Sequence, residues 1–245
     1  MTQIEQWTES TRQAPLTPGT VHLWCWRHDA SNSTLEPDVS WLSPDELRRY
    51  RRFYFRADQL RFAVSHLNMR NILASYLQQS PVDLTLAAGS GGKPRLVPAA
   101  EPPLEFNLSH SRNYGLLAVA RDLEVGVDIE EPRSIEAGMP KRYFSATEIE
   151  DLSRLEGDAW LSGFLRCWTR KEAVLKAEGV GLRVPLDAFD VSVAADEPAA
   201  LLGVRPPATF RHAWSLFDVS PNTDAVGALA VSAPPDQIAL FRYKA

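Results

Sequence analysis

The stretch Gly126-Val127-Asp128-Ile129-Glu130 sets two carboxylates two residues apart. On a strand, alternate side chains share a face, so Asp128 and Glu130 stand together, opposite Val127 and Ile129. Two such carboxylates repel each other unless a proton or a cation lies between them. Hard oxygen ligands at this spacing suit Mg²⁺, which takes one or two carboxylates plus substrate phosphates. The bland alternative is a solvated strand end. A second group lies in Trp168-Thr169-Arg170-Lys171-Glu172-Ala173-Val174-Leu175-Lys176. Trp168, Glu172 and Lys176 recur every four residues and share one helix face, continuing the stripe of Leu161 and Phe164. Charge on an apolar stripe is costly unless paired. Either Glu172 and Lys176 form an i, i+4 salt bridge worth a few tenths of a kcal/mol, or they belong to an active site.

Two further groups carry possible chemistry. Phe106-Asn107-Leu108-Ser109-His110-Ser111 holds a histidine, which is either a structural hydrogen-bonder or a ligand. Ser109 and His110 do not make a hydrolase: no Gly-x-Ser-x-Gly elbow is present, and neighbours on a strand point apart. Between Asp45 and Arg61 stand Arg48, Arg49, Arg51, Arg52, Arg56 and Arg61, against Asp45, Glu46 and Asp58. Arginine forks suit phosphate; a solvated helix face has the same composition.

These residues need elements to hold them. Val21–Trp26 reads as a strand between Pro18-Gly19 and the polar stretch Asp29–Ser33. Ser43-Pro44-Asp45-Glu46 is a capping box with proline at the first helical position, opening a helix to about Phe55. A second helix runs from about Ala57 to Leu77, and Gly89–Pro94 is a loop. Gly115–Ala120 and Leu123–Ile129, joined at Arg121-Asp122, read as a hairpin. Ser145-Ala146-Thr147-Glu148 is a second capping box, opening a helix to about Leu155. A longer helix from about Asp158 to Glu178 stops at Gly179. Four short strands follow: Phe189–Val193, Ala213–Val219, Ala225–Val231 and Ile238–Tyr243.

The composition is that of an ordinary globular protein: 245 residues, 44% apolar and 23% charged. The length allows two halves of ordinary core size. A net charge of −5 argues against a nucleic-acid binder. Two cysteines, Cys25 and Cys167, exclude a disulfide framework or a cysteine-rich zinc site. No apolar run reaches the length of a membrane helix, and the polar, acidic N-terminus is unlike a signal peptide. A soluble, cytoplasmic protein is expected.

In order along the chain, Gly92-Lys93-Pro94, Phe106–Ser111, Gly126–Glu130 and Trp168-x-x-Lys171-Glu172-Ala173-x-x-Lys176-x-x-Gly179 resemble the Sfp-type 4′-phosphopantetheinyl transferases. The resemblance covers about residues 40–190 and includes Ser43-Pro44 and Arg51-Arg52-Phe53-Tyr54. It implies an α+β fold of two pseudo-symmetric halves, 1–124 and 125–245, each a small, mostly antiparallel sheet with packed helices. The active site would lie at their interface, in a monomer. The reaction implied is Mg²⁺-dependent transfer of 4′-phosphopantetheine from coenzyme A to a serine of an apo acyl or peptidyl carrier protein. Adenosine 3′,5′-bisphosphate would leave, and the carrier would serve fatty acid, polyketide or nonribosomal peptide synthesis. Asp128, Glu130 and Glu172 would hold Mg²⁺. Arg49, Arg61, Lys93, Ser109 and His110 would surround the nucleotide. Glu172 would be the base for the carrier serine, and Lys176 would serve the leaving phosphate. One position departs: Glu46 stands where some members carry a basic residue, and Arg48 is the nearest substitute.

Two rival classes remain at this level: a non-catalytic binding module, and a phosphohydrolase that releases phosphopantetheine to water. Lys141-Arg142-Tyr143-Phe144 reads either as a docking patch for an acidic carrier helix or, at Phe144, as a hydrophobic staple before Ser145.

Overall fold

The computed structural model describes residues 2–10, 15–28 and 36–244; the polar stretch Asp29–Ser33 lies outside them. The chain runs through β1 (Gln3–Ile4), β2 (Thr8–Ser10) and β3 (Thr20–Arg27) into α1 (Pro44–Arg52). The capping box of α1 is complete: the Glu46 amide donates to Ser43 Oγ at 3.3 Å and the Ser43 amide to Glu46 Oε2 at 2.8 Å. The helix ends at Arg52, short of the expected Phe55, because Phe53 turns extended and packs its ring on Phe62 of the next helix, 5.5 Å away. α2 (Arg56–Leu77) follows, then β4 (Leu86–Ala88), β5 (Pro94–Leu96), β6 (Leu104–His110), β7 (Tyr114–Arg121) and β8 (Val125–Glu130). α3 (Met139–Tyr143), α4 (Ala146–Ser153) and α5 (Gly157–Glu178) come next. The second capping box opens α4, and Gly179, in the left-handed region at φ 69°, closes α5 as glycine there should. The chain ends in β9 (Phe189–Val191), β10 (Leu201–Val204), β11 (Ser215–Asp218), β12 (Val226–Val231) and β13 (Gln237–Tyr243).

The architecture is α+β. One sheet is ordered β1-β13-β3-β7-β6, with β2 also on β13; a second is ordered β11-β12-β8. Both faces of β3 and β7 are buried. Trp24, Trp26, Leu117 and Val119 face Met69, Ile72 and Leu73 of α2. Val21, Leu23, Leu116 and Ala118 face Val125, Val127 and Ile129 of β8. The other face of the second sheet, through Ala228 and Ala230, covers Phe164, Val174 and Leu175 of α5. The layers are therefore α2, sheet, sheet, α5. The last strand, β13, lies parallel to β3 in the first sheet. Among the described residues no helix is long and apolar enough to cross a membrane.

The strand around Arg121-Asp122 differs from the expected hairpin. β7 already has β3 on one edge and β6 on the other. No edge remains for β8, which pairs instead with β12. Asp122 makes the change of direction in the left-handed region at φ 58°. The Gly89–Pro94 loop is as expected, but it links a two-stranded ribbon, β4–β5, that is too short to show a pattern in sequence.

Candidate active site

β6 is an edge of the first sheet and β8 an edge of the second. The two edges are joined by side chains, not by a backbone ladder. Asn107, Ser109 and Ser111 alternate along one face of β6 and its extension. The Val127 amide donates to Asn107 Oδ1 at 2.8 Å. Ser109 Oγ donates to Asp128 Oδ1 at 2.9 Å. Ser111 Oγ donates to Glu130 Oε2 and accepts from the Glu131 amide, each at 3.3 Å. This lacing also turns the unpaired edges of both strands away from stray pairing.

Helix α5 lies directly on β8 because Gly126 has no side chain. A Cβ there would stand 2.2 Å from the Ala173 carbonyl oxygen and 2.3 Å from the Ala177 nitrogen. With the backbones in contact, Asp128, on the same strand face as Gly126, meets the next polar position of the helix. Lys176 Nζ lies 2.6 Å from Asp128 Oδ1 and 2.9 Å from Ser109 Oγ. The i, i+4 pair with Glu172 is therefore not what Lys176 makes; its amine crosses to the strand. Asp128 is buried, and its second oxygen, Oδ2, is buried without a hydrogen-bond partner.

Asp128 influences both neighbouring acids. Burial, then the Asp128 charge, pushes the Glu172 carboxyl above its ordinary value, against the pull of Lys176. Burial and Asp128 likewise raise Glu130, opposed by Arg133, Ser111 and Lys176. Among the described residues no three His, Cys, Asp or Glu side chains are gathered as a ready cation site. The donor set nevertheless fits a hard cation that arrives with phosphates of its own: carboxylate oxygens, one of them buried and unpartnered. Mg²⁺ commonly binds through one or two carboxylates, with substrate phosphates and water filling the rest.

The expected nucleotide residues divide. His110 reaches the surface at the end of β6, yet the surrounding protein, with His66, Lys176 and Arg49, pulls its imidazole down to about 4. It is neutral at physiological pH and stands within the field of both Arg49 and Lys176. Arg49 is exposed and lies over the Phe62 ring, 5.3 Å from its centre. Arg61 is half-buried and pairs with Asp58 of its own helix at 2.8 Å. Ser109 is buried in the Asp128 contact. Lys93 turns inward: Nζ donates to the Val125 carbonyl at 2.9 Å and the Ala177 carbonyl at 3.3 Å, with Glu105 at 3.8 Å. It ties the β4–β5 loop to β8 and α5. The loop backbone touches the end of α5, where a Cβ on Gly91 would lie 2.0 Å from the Gly179 carbonyl oxygen. Between loop and helix lies a cleft of about 210 Å³, lined by Lys93, Asn107, Leu108, Glu172 and Lys176.

Two buried networks escaped the sequence reading. Glu46 is no phosphate contact, because it is buried under α1, bonded to His66 Nδ1 at 2.7 Å and to Arg70 at 2.6 and 3.0 Å. Lys171, fully buried, pairs with Glu148 at 2.8 Å. In both cases the capping-box glutamate meets a cation of the following long helix, 24 and 23 residues on; that repeated spacing is the signal. Of the two readings of Lys141–Phe144, Phe144 follows the buried one before Ser145. It is buried against Phe164, 5.1 Å away, leaving Lys141 and Arg142 exposed and Tyr143 half-buried against Trp168.

The chain also matches known proteins along most of its length. Residues 124–230 match the 4′-phosphopantetheinyl transferase superfamily, and residues 26–122 match the N-terminal region of 4′-phosphopantetheinyl transferases. The chain is 36% identical over 229 residues to 4′-phosphopantetheinyl transferase HetI of Nostoc sp., covering 92% of this chain and 93% of that one. It is 33% identical over 158 residues to 4′-phosphopantetheinyl transferase Sfp of Bacillus subtilis, covering 64% and 69%. A Xenopus laevis L-aminoadipate-semialdehyde dehydrogenase-phosphopantetheinyl transferase is 34% identical over 165 residues, 62% of this chain and 54% of its own.

Proposed function

The chain belongs to the Sfp-type 4′-phosphopantetheinyl transferases, and from that premise we propose that it moves the 4′-phosphopantetheine of coenzyme A onto a serine of an apo acyl or peptidyl carrier protein. The observation that carries the reading is the junction of Lys176, Ser109 and Asp128, with an unpartnered carboxylate oxygen beside Glu172.

The serine oxygen attacks the phosphorus that bears the pantetheine. The bond from that phosphorus to the bridging oxygen breaks, and adenosine 3′,5′-bisphosphate leaves. Such transfers depend mostly on positioning and on charge stabilisation around the phosphates. Glu172 takes the serine proton. Lys176 neutralises the departing phosphate. Asp128, Glu130 and Glu172 would hold Mg²⁺, which when bound supplies charge neutralisation on the diphosphate. Arg49, Arg61, Ser109 and His110 hold the nucleotide end, and Lys93 fixes the wall of the cleft. In this division residues 1–124 contact the nucleotide and residues 125–245 supply the chemistry; the site lies at the β6–β8 seam, while β13 crosses back into the first sheet beside β3.

The test is an intact-mass assay with apo carrier, coenzyme A and Mg²⁺. The expected product is a carrier heavier by one phosphopantetheine. Coenzyme A consumed with the carrier unmodified would make the protein a hydrolase. Coenzyme A left unchanged across a panel of apo carriers would make it a binding module.

A further inference from the structure

Lys176 has two acids within its reach, and helix geometry offers it Glu172 one turn back. Its amine goes instead to Asp128 Oδ1 at 2.6 Å, with Ser109 Oγ at 2.9 Å, and Ser109 donates to the same Oδ1 at 2.9 Å. Two donors thus occupy one oxygen of Asp128, while the other is buried and unpartnered.

We propose that Lys176 is a placeholder cation. In the ligand-free protein it holds Asp128 and blocks a divalent cation from binding alone; when the diphosphate enters, the amine moves to phosphate oxygens and Asp128 is released to the cation. The proposal rests on the metal assignment made above and adds an order of events to it. Lys176 is suited to the exchange because 27% of its side chain is exposed, on a flexible four-carbon stem. The diphosphate replaces the ion pair that the lysine gives up, so cation and coenzyme A each favour the other. Such coupling is reciprocal.

Calorimetric titration with Mg²⁺ alone and with Mg²⁺ in the presence of coenzyme A, with no carrier so that nothing turns over, tests this. Wild type, Lys176→Met, Lys176→Arg and Asp128→Asn are compared, with thermal unfolding as the control for folding. Without coenzyme A, Lys176→Met should bind Mg²⁺ about tenfold more tightly than wild type, within the usual size of coupling between sites. Lys176→Arg, which keeps the charge, should bind as weakly as wild type. Coenzyme A should tighten Mg²⁺ binding more on wild type than on Lys176→Met. Equal Mg²⁺ affinity of wild type and Lys176→Met without coenzyme A would overturn the placeholder role. If Asp128→Asn still weakened Mg²⁺ binding in that case, the metal assignment would stand. Asp128→Asn binding Mg²⁺ as wild type does with coenzyme A present would remove the metal assignment, and the placeholder with it.

Discussion

Lys171 and Lys176 lie five residues apart on one helix, and both face an acid on another element. Lys171 is fully buried. It donates to Glu148 at 2.8 Å, to the Leu186 carbonyl at 2.7 Å and to the Phe189 carbonyl. Glu148 in turn accepts from the amides of Ser145 at 3.0 Å and Val191 at 2.8 Å. No buried side-chain polar atom of that network lacks a partner, so it holds α4, α5 and β9 together. Lys176 is partly exposed, and its acid has an oxygen with no partner. Burial and pairing alone therefore do not mark a reactive charge. What marks it is a bonding capacity the fold leaves unfilled. Glu46 with Arg70 and His66, beneath α1, is a second closed network of the Lys171 kind.

The contrast is broken most directly by substitution on the open side. Asp128→Ala, Glu172→Gln and Lys176→Ala should each lower kcat by about 10²-fold or more, because each removes charge or proton transfer needed only in the transition state. The unfolding temperature of Glu172→Gln should stay near wild type, so that its lost turnover is not a lost fold. Single-turnover transfer beside thermal unfolding checks both halves of the claim; near-normal turnover for all three would return this cluster to a structural role.

Lys171→Met should do the opposite. Removing one partner of a buried pair leaves an uncompensated charge and costs roughly 3–5 kcal/mol. Denaturant titration should show that loss, while kcat per folded molecule changes little. A large fall in kcat with stability intact would erase the distinction between the two lysines.

Acid separates the networks a second way. Burial pushes Glu46 up, but hydrogen bonds from His66, Arg70 and the Ser43 amide outweigh it and hold the carboxyl at about 2. Its folded value lies below the unfolded one, so its contribution to stability is present above pH 4.5 and is lost as pH falls through about 2. Glu172 has the reverse sign. Its folded value is raised, so its ionised form costs stability at neutral pH, and the cost is relieved on acidification. Glu46→Gln should therefore destabilise at pH 7 by ~3 kcal/mol, with the difference shrinking toward pH 2. Glu172→Gln should be neutral or slightly stabilising at pH 7. For turnover, wild-type activity should fall on the acid side as Glu172 takes up its proton. Unfolding curves across pH 2–8 and kcat across pH 4–8 test all three signs.

How much of this was readable in the chain follows the range of each interaction. Helix starts and stops are local, so Ser43, Ser145 and Gly179 announced themselves. The pairing of Asp128 with Glu130 was visible from strand alternation, and the helix stripe exposed Glu172 and Lys176 as misplaced charges. The partner of β8 was not readable, because which sheet edge is free depends on strands β3, β6 and β12, far apart in sequence. Nor was the partner of Lys176: helix spacing points to Glu172, and only the close approach permitted at Gly126 brings Asp128 nearer. The contacts of Lys93 were unreadable for the same reason, since the carbonyls that receive its protons belong to two distant elements, β8 and α5.

The smallest expected effect concerns the arginines of α1, where the same contrast of filled and unfilled capacity applies at the surface. Arg48 is well exposed and pairs with Asp45 one turn back on its own helix. Arg49 makes no ion pair with a carboxylate among the described residues; it lies over Phe62 and acts on His110. Its charge is left for a ligand, whereas that of Arg48 is already engaged. Glu46, which might have been read as a lost phosphate contact, is buried and faces the other way. Arg49→Ala should raise KM for coenzyme A by about tenfold, the equivalent of ~1.4 kcal/mol, with kcat little changed, since uniform binding is what is lost. Arg48→Ala should alter KM by less than about twofold, in keeping with the small worth of exposed ion pairs. Steady-state kinetics on both, with coenzyme A and with its form lacking the 3′-phosphate, decides between them. An equal rise in KM for Arg48→Ala, lost when the 3′-phosphate is absent, would make Arg48 the substitute for the contact that Glu46 does not provide.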